Sequence, residues 1–96
     1  MSEEQKKQRE ITLQVNTGDE MSRGRFSNNM VVSHTPEEFI LDWLLNSPSG
    51  THLVSRIVVS PGHLKRIIDA LRDNMAKYEG KFGEVRKIEP KEQVFG

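Results

Sequence analysis

The sequence predicts an α+β fold, in which a four-stranded antiparallel meander is followed by one amphipathic C-terminal helix (β-β-β-β-α). Before residue 60, apolar and polar side chains alternate in short stretches, which is typical of half-buried strands. Residues that favour turns separate these stretches. After residue 60, apolar side chains recur at spacings of three and four, as on one face of a helix. One helix covers only part of one sheet face, so we expect oligomerisation to complete the fold.

The first two predicted strands lie in the N-terminal third of the chain. Glu10–Val15 alternates between apolar and polar side chains, as a half-buried strand does. The residues Asn16–Asp19 then favour a turn, because Gly and Asn tolerate positive φ and Asp can hydrogen-bond its own backbone. The second predicted strand, Arg25–Ser33, has a Ser-Asn-Asn centre that forms strands poorly. This composition predicts a bulge or irregularity near Asn28.

Residues 37–46 are open to two interpretations. Thr35-Pro36-Glu37-Glu38 has the composition of a helix start, with a Thr N-cap, Pro at the first position and Glu at the third. Against a helix, the segment is short, is closed by turn residues, and alternates apolar side chains at Phe39, Leu41, Trp43 and Leu45. We predict a strand here and keep the helix as the alternative.

Thr51–Val59 is the clearest predicted strand, because apolar side chains occupy both of its faces. We expect one face to present Leu53, Ile57 and Val59 and the other to present Val54 and Val58. A strand that is apolar on both faces is central in its sheet or lies in a subunit interface. We expect Arg56 to pair with Asp42 across neighbouring strands.

The C-terminal helix is marked at both ends. Ser60 can cap its N-terminus, and Pro61 fits the first helical position. Gly80 lies where a left-handed residue would end the helix. Its apolar side chains are Leu64, Ile67, Ile68, Leu71, Met75 and Tyr78.

Length and composition exclude several classes of protein. A chain of 96 residues buries only about two-thirds of its unfolded surface, so a monomer has a thin core. The absence of cysteine excludes a disulfide framework, a thiolate zinc site and a cysteine nucleophile. No apolar run approaches the roughly 20 residues that span a bilayer, and no apolar signal segment is visible. We expect a cytoplasmic protein with one domain at 10–88 and disordered tails at 1–9 and 89–96.

No catalytic, metal or cofactor site is predicted. The histidines His34, His52 and His63 lack the spacing that pre-orders metal ligands, and we expect His34 to hydrogen-bond the backbone of its turn. No nucleophile elbow or Gly-rich phosphate loop is present. Glu37 and Glu38 are neighbours on a predicted strand and point to opposite faces, so they cannot act as a paired acid and base. We therefore expect no enzymatic activity.

The favoured function is that of a small oligomeric interaction module, which binds itself and another protein. The thin core and the two-sided apolar strand support this interpretation. The residues predicted to form the oligomer or partner interface are Phe39, Leu41, Trp43, Leu53 and Ile57.

The alternative function is single-stranded nucleic-acid binding. Residues 61–88 carry seven cations against four acids, a local excess of +3. Sheet surfaces that present cations and aromatic rings can bind splayed bases, and the predicted contact residues are Arg23, Arg25, Phe26 and Arg56. The zero net charge of the whole chain and the use of aromatic residues as core oppose this alternative.

Several sequence strings resemble one protein family. In the first half they are Phe26-Ser27-Asn28, the stretch 32–39 and Leu41-Asp42-Trp43. In the second half they are Ser55-Arg56-Ile57-Val58, Ser60-Pro61, His63-Leu64-Lys65-Arg66 and the stretch 78–84. As a set, they resemble the domain-of-unknown-function family 3467 of short bacterial and archaeal proteins, over about residues 10–87. The resemblance favours a strand at residues 37–46 and implies no activity, cofactor or catalytic residue.

Overall fold

The computed structural model describes residues 14–88 of the chain. The elements, in chain order, are α1 (Asp19–Ser22), β1 (Asn29–His34), β2 (Phe39–Ser47), β3 (Gly50–Val59) and α2 (Pro61–Phe82). The three strands form one antiparallel sheet in the order β1-β2-β3. The α+β class, the antiparallel meander and the C-terminal helix are therefore confirmed.

The prediction of four strands is wrong, because the described residues contain three. Most of the predicted strand Glu10–Val15 lies outside the described residues, as do the predicted tails at 1–9 and 89–96. Gln14 and Val15 are described and belong to no strand, and Val15 is 72% exposed. Alternation specifies which face of a strand is apolar but does not supply a neighbouring strand to pair with. The predicted turn at Asn16–Asp19 instead leads into the short helix α1.

The second predicted strand begins four residues later than expected, at Asn29. From Asn29 to His34 the strand β1 pairs with β2 without a register shift. The irregularity expected near Asn28 is therefore the N-terminal end of β1. The Asn28 side chain extends the pairing beyond that end. Its Oδ1 accepts from the backbone N–H of Asn46 at 2.8 Å, and its Nδ2 donates to the carbonyl of Asn46 at 3.0 Å. A side-chain amide carries both a donor and an acceptor, so it substitutes here for a backbone peptide.

The ambiguous segment forms a strand, β2, as predicted. The N-capping ability of Thr35 is used in the β1–β2 turn, where its Oγ1 accepts from the backbone N–H groups of Glu37 and Glu38, each at 3.2 Å. The backbone N–H of Thr35 donates to the carbonyl of Glu38 at 2.9 Å and closes the turn. Hydrogen bonds from the next backbone N–H groups to a Thr hydroxyl occur both at helix N-termini and in hairpin turns. The sequence therefore supported both interpretations.

A β-bulge in β3 changes which face each of its side chains occupies. Trp43 pairs with Ser55 and Leu44 pairs with Leu53, so Val54 has no partner on β2. Paired residues share a face of the sheet. Leu53 therefore lies on the same face as Leu44, opposite to Ile57, and the prediction that Leu53, Ile57 and Val59 share one face is wrong. The extra residue reverses the alternation, and nothing in the local sequence marks its position.

The strand register defines two faces of the sheet, named here by the adjacent residues Trp43 and Asp42. The Trp43 face carries Met30, Val32, Phe39, Leu41, Ile57 and Val59 beside Trp43. The Asp42 face carries Val31, Ile40, Arg56 and Val58 beside Asp42.

The helix α2 begins as predicted and ends later. Ser60 Oγ accepts from the backbone N–H of His63 at 3.2 Å, and Pro61 is the first helical residue. The helix continues through Gly80, so the predicted end at that residue is wrong. Gly83, at φ 99°, ends the helix, and its N–H donates to the carbonyl of Glu79 at 2.9 Å. A glycine can also lie inside a helix, as Gly80 does, so the sequence alone could not tell whether Gly80 or Gly83 takes the left-handed position.

Very little of the described chain is buried. Of residues 14–88, only Leu41 (7% exposed) and Val59 (8% exposed), both on the Trp43 face, form the hydrophobic core. No residue of α2 is buried, and only Leu64 and Ile67 among its apolar side chains are half-buried. We expected the helix to lie against one face of the sheet, but it makes no extensive contact with the strands. The rest of its apolar stripe is open to solvent.

Candidate functional site

The centre of the Asp42 face is an ion pair between neighbouring strands. Arg56 Nε donates to Asp42 Oδ1 at 2.6 Å, and Arg56 Nη2 donates to Asp42 Oδ2 at 3.0 Å. Their Cα atoms are register partners, as predicted. The hydrogen bonds from Arg56 hold the pKa of the Asp42 carboxyl below its ordinary value. The same bonds raise the pKa of the Arg56 guanidinium. The two charges neutralise each other on a face that is otherwise largely apolar.

A shallow depression of about 500 Å³ lies on the Trp43 face. It is lined by Trp43, by the bulged Val54 and by the segment that precedes β1, including Arg25 and Phe26. Phe26 is 73% exposed. The segment is held against β2 by Ser27, whose Oγ donates to the carbonyl of Leu44 at 2.8 Å. The depression therefore presents two aromatic rings beside a cation.

The cation of Arg25 is partly engaged within the protomer. Its Nη1 donates to the carbonyl of Val54 at 3.4 Å, and its Nη2 lies 3.7 Å from Glu20 Oε1. These contacts place the guanidinium over the bulge, and both partners of the ion pair remain largely exposed to solvent. Such a pair is weak and is exchanged readily for another anion.

The four residues predicted to contact nucleic acid do not form one surface. Arg25 and Phe26 line the depression on the Trp43 face. Arg23 is exposed at the C-terminal end of α1. Arg56 lies on the Asp42 face, because Asp42 and Trp43 are adjacent on β2 and point in opposite directions. Trp43 lines the same depression as Arg25 and Phe26. The fold therefore brings these three residues together and places Arg56 on the opposite face.

The five residues predicted to form an oligomer interface are also divided between the faces. Phe39, Leu41, Trp43 and Ile57 share the Trp43 face, whereas the bulge places Leu53 on the opposite face. Leu41 is part of the small core, and Ile57 and Leu53 are 47% and 55% exposed. Both faces thus keep apolar surface open to solvent.

A groove lies on the C-terminal half of α2, outside the predicted interface. It has a volume of about 820 Å³, and its apolar lining residues are Leu71, Met75, Tyr78, Phe82 and Val85. The rings of Tyr78 and Phe82 are 4.9 Å apart between centroids. The chain turns at Gly83 and returns beside the helix, where the N–H of Val85 donates to Glu79 Oε2 at 2.8 Å. The spacing of apolar residues indicated this helix face, but no pattern indicated that it would remain uncovered.

The histidines lie on separate elements, His34 on β1, His52 on β3 and His63 on α2. The ring of His34 lies against Phe39, with 5.3 Å between centroids, and its expected hydrogen bond to the turn backbone is not formed. Between residues 14 and 88, no three His, Asp or Glu residues are grouped so that they could hold a metal ion.

No helix within residues 14–88 combines the length and the apolar character needed to cross a bilayer.

These features define a small α+β protein whose sheet and long helix both present apolar surface. The chain belongs to the family described as "Protein of unknown function (DUF3467)", which matches residues 1–87 and confirms the resemblance noted in the sequence. No curated protein and no solved structure matches the chain. The family description assigns no activity.

Proposed function

We propose that this protein is a small non-catalytic interaction module, which forms a homo-oligomer and binds another protein in a structural or regulatory role. The observation that supports the proposal most strongly is the size of the core. Among the described residues only Leu41 and Val59 are buried, although the chain presents a three-stranded sheet and a 22-residue helix.

The apolar surface buried within one protomer is too small to stabilise the fold. Burial of apolar area supplies about 25 cal/mol per Å², and two buried side chains cannot offset the conformational entropy that an ordered domain loses on folding. Meanwhile twelve large apolar side chains on the two sheet faces and on α2 are between 37% and 65% exposed. Contiguous exposed apolar surface of this kind marks interaction sites in soluble proteins. A partner that covers it completes the missing core.

The non-catalytic part of the proposal rests on the chemistry of the surfaces. The groove on α2 is predominantly apolar, and the depression on the Trp43 face joins aromatic rings to a single cation. Neither contains a histidine or a nucleophile beside a base. Such surfaces favour the packing of another macromolecule over the activation of a substrate.

The molar mass in solution tests the oligomer. Size-exclusion chromatography with light scattering on the full chain is expected to give at least twice the protomer mass of 11.0 kDa at micromolar concentration. A folded monomer at 11.0 kDa, with the helical content of α2 in circular dichroism, would contradict the proposal.

A second candidate function, binding of single-stranded nucleic acid, is favoured by the depression on the Trp43 face. Exposed Phe26, partly exposed Trp43 and the cation of Arg25 provide the stacking rings and the phosphate contact that such binding requires. Trp43 is the only tryptophan, so its fluorescence reports directly on this surface. Titration with single-stranded DNA and RNA at two salt concentrations is expected to quench it in a salt-sensitive manner.

The matched control for this titration is the pair of substitutions Arg23→Glu and Arg25→Glu, made in one chain. Retained quenching in that variant would exclude Arg23 and Arg25 as the phosphate contact. No quenching of the wild type at low salt would exclude nucleic-acid binding at this surface. The Arg56→Gln variant, with its fold verified by circular dichroism because it loses the ion pair to Asp42, should bind as the wild type does, since Arg56 is on the other face.

A further inference from the structure

We propose that two copies of this chain associate through α2, as an antiparallel pair of helices whose apolar stripes cover each other. This inference rests on the proposed oligomer and names the surface that forms it.

The apolar side chains along α2 have the spacing of a coiled coil. The intervals alternate strictly between four and three residues, at Leu64, Ile68, Leu71, Met75, Tyr78 and Phe82. This is the heptad repeat of a coiled coil, whose average of 3.5 residues keeps one narrow seam turned towards a second helix. A helix that packs on a sheet usually carries a broader stripe. The repeat extends over almost the whole helix, to its last residue.

The apolar side chains of this seam are largely exposed in one protomer. Leu71 and Phe82 are 62% and 65% exposed, and Met75 and Tyr78 are about half exposed. Together with Ile68 and with Val85, which lies beside the helix, they leave roughly 600 Å² open on one protomer, so full cover of both surfaces would bury at most about 1,200 Å², the lower bound of stable interfaces. The seam and Val85 together therefore reach the area of a stable interface when they are fully covered.

The distribution of side-chain size along the seam favours the antiparallel direction. In an antiparallel pair, two α2 helices can be aligned so that residue 73 of each lies at the centre. Each layer away from the centre then pairs one larger with one smaller side chain. The resulting layers are Leu64 with Phe82 of the second copy, Ile68 with Tyr78 of the second copy, and Leu71 with Met75 of the second copy. A parallel alignment would place Phe82 against Phe82 and Tyr78 against Tyr78, which crowds one end and leaves the other underfilled.

The charged residues beside the seam are complementary in the antiparallel pair. In the antiparallel alignment Lys65 faces Glu79 of the second copy, and the symmetry repeats this pair. In a parallel alignment the same residues would be separated by fourteen helical residues, about 21 Å. Glu79 is half-buried and its Oε2 is held by the N–H of Val85. Arg72 lies near Arg72 of the second copy, beside the two-fold axis of the pair. Asp69, three residues earlier on the same helix face, reduces the repulsion between the two guanidinium groups.

Cysteine cross-linking tests the direction of the helices, because the chain contains no native cysteine. Full-length Leu71→Cys and Met75→Cys variants are refolded separately and as an equal mixture, and then oxidised. The antiparallel pair predicts a covalent dimer in the mixture, with each variant alone giving several-fold less. The control Asp73→Cys lies equally near the axis but on the outer face, and it should remain uncross-linked.

The charges provide a second test that leaves the apolar seam intact. Lys65→Glu or Glu79→Lys alone should raise the dissociation constant of the oligomer about fivefold or more, since two attractions become two repulsions. The combined variant should restore association.

Three results would overturn the inference. Cross-linking of each cysteine variant with itself, as strong as in the mixture, would indicate parallel helices. Absence of cross-links in the cysteine variants, while the wild type is oligomeric, would place the interface on the sheet, and the proposed function would stand. A monomeric wild type would overturn both the inference and the proposed function.

Discussion

Asp42 and Arg56 form a two-point ion pair across the centre of the sheet, with Arg56 Nε and Nη2 donating to the two carboxylate oxygens of Asp42. The Asp42 side chain is only 18% exposed, whereas that of Arg56 is 58% exposed. The fork of the guanidinium matches the carboxylate, so this pair fixes the register of β2 against β3 on the face opposite to Trp43. It also commits Arg56 to a structural contact.

The ion pair predicts how stability depends on pH. The pKa of Asp42 is lower in the folded chain than its ordinary value of 3.8, so the folded state retains the carboxylate to lower pH than the unfolded state does. The resulting stabilisation is fully present above the ordinary pKa and is lost as pH falls through the folded pKa. Urea unfolding between pH 6 and pH 2, at constant protein concentration, should show this loss below about pH 4.

The variant that isolates this effect is Asp42→Asn, which should flatten the acid limb of the stability profile. Glu38→Gln is the control, because the Glu38 side chain makes no hydrogen bond or ion pair to the described residues. An Asp42→Asn profile that falls as steeply as that of the wild type would show that other carboxylates cause the loss.

The two glycines near the end of α2 should respond oppositely to the same substitution. At Gly80 an added methyl group meets no atom within 4 Å, and the helical backbone suits alanine. Gly80→Ala is expected to raise the free energy of unfolding by about 0.5–1 kcal/mol. At Gly83, φ is 99°, so alanine is strained and Gly83→Ala should lower it by about 1 kcal/mol or more. Thermal unfolding by circular dichroism would measure both, and equal signs would contradict this helix end.

Asn28 should contribute more to stability than its neighbour Asn29. Asn28→Ala removes two hydrogen bonds to the backbone of Asn46, at the edge of β2, and is expected to cost about 1–2 kcal/mol. Asn29→Ala removes only a local bond to the N–H of Met30 and should cost less. Urea unfolding of both variants gives the comparison. Similar losses for the two would mean that the Asn28 contacts add no net stability.

The sequence predicted those features that depend on local chemistry. Ser60 and Pro61 marked the start of α2, and the alternation from Phe39 to Leu45 identified β2 in spite of the helix-like Thr35-Pro36-Glu37-Glu38. The pairing of Asp42 with Arg56 also followed from their places on neighbouring strands. These features require only nearby residues and a consistent register.

Features that depend on distant partners were not predictable. The bulge at Val54 reversed the face of Leu53, and one extra residue leaves the composition of a strand unchanged. The alternation in Glu10–Val15 predicted a strand, whereas Gln14 and Val15, its two described residues, belong to none. The spacing of three and four along α2 marked an apolar helix face, but it did not tell whether the same protomer or a second copy covers that face. An apolar pattern shows that a surface needs a partner, whereas the identity of that partner is a property of the assembly.

The central claim, that a second copy completes the core, is tested most directly by the dependence of unfolding on protein concentration. Urea unfolding of the full chain is followed at about 1 μM and 100 μM by circular dichroism. If folding and association are coupled, the hundredfold increase should stabilise the protein by about 2.7 kcal/mol and shift the midpoint to higher urea. Superimposable curves at the two concentrations would show that the protomer folds alone and would contradict the account.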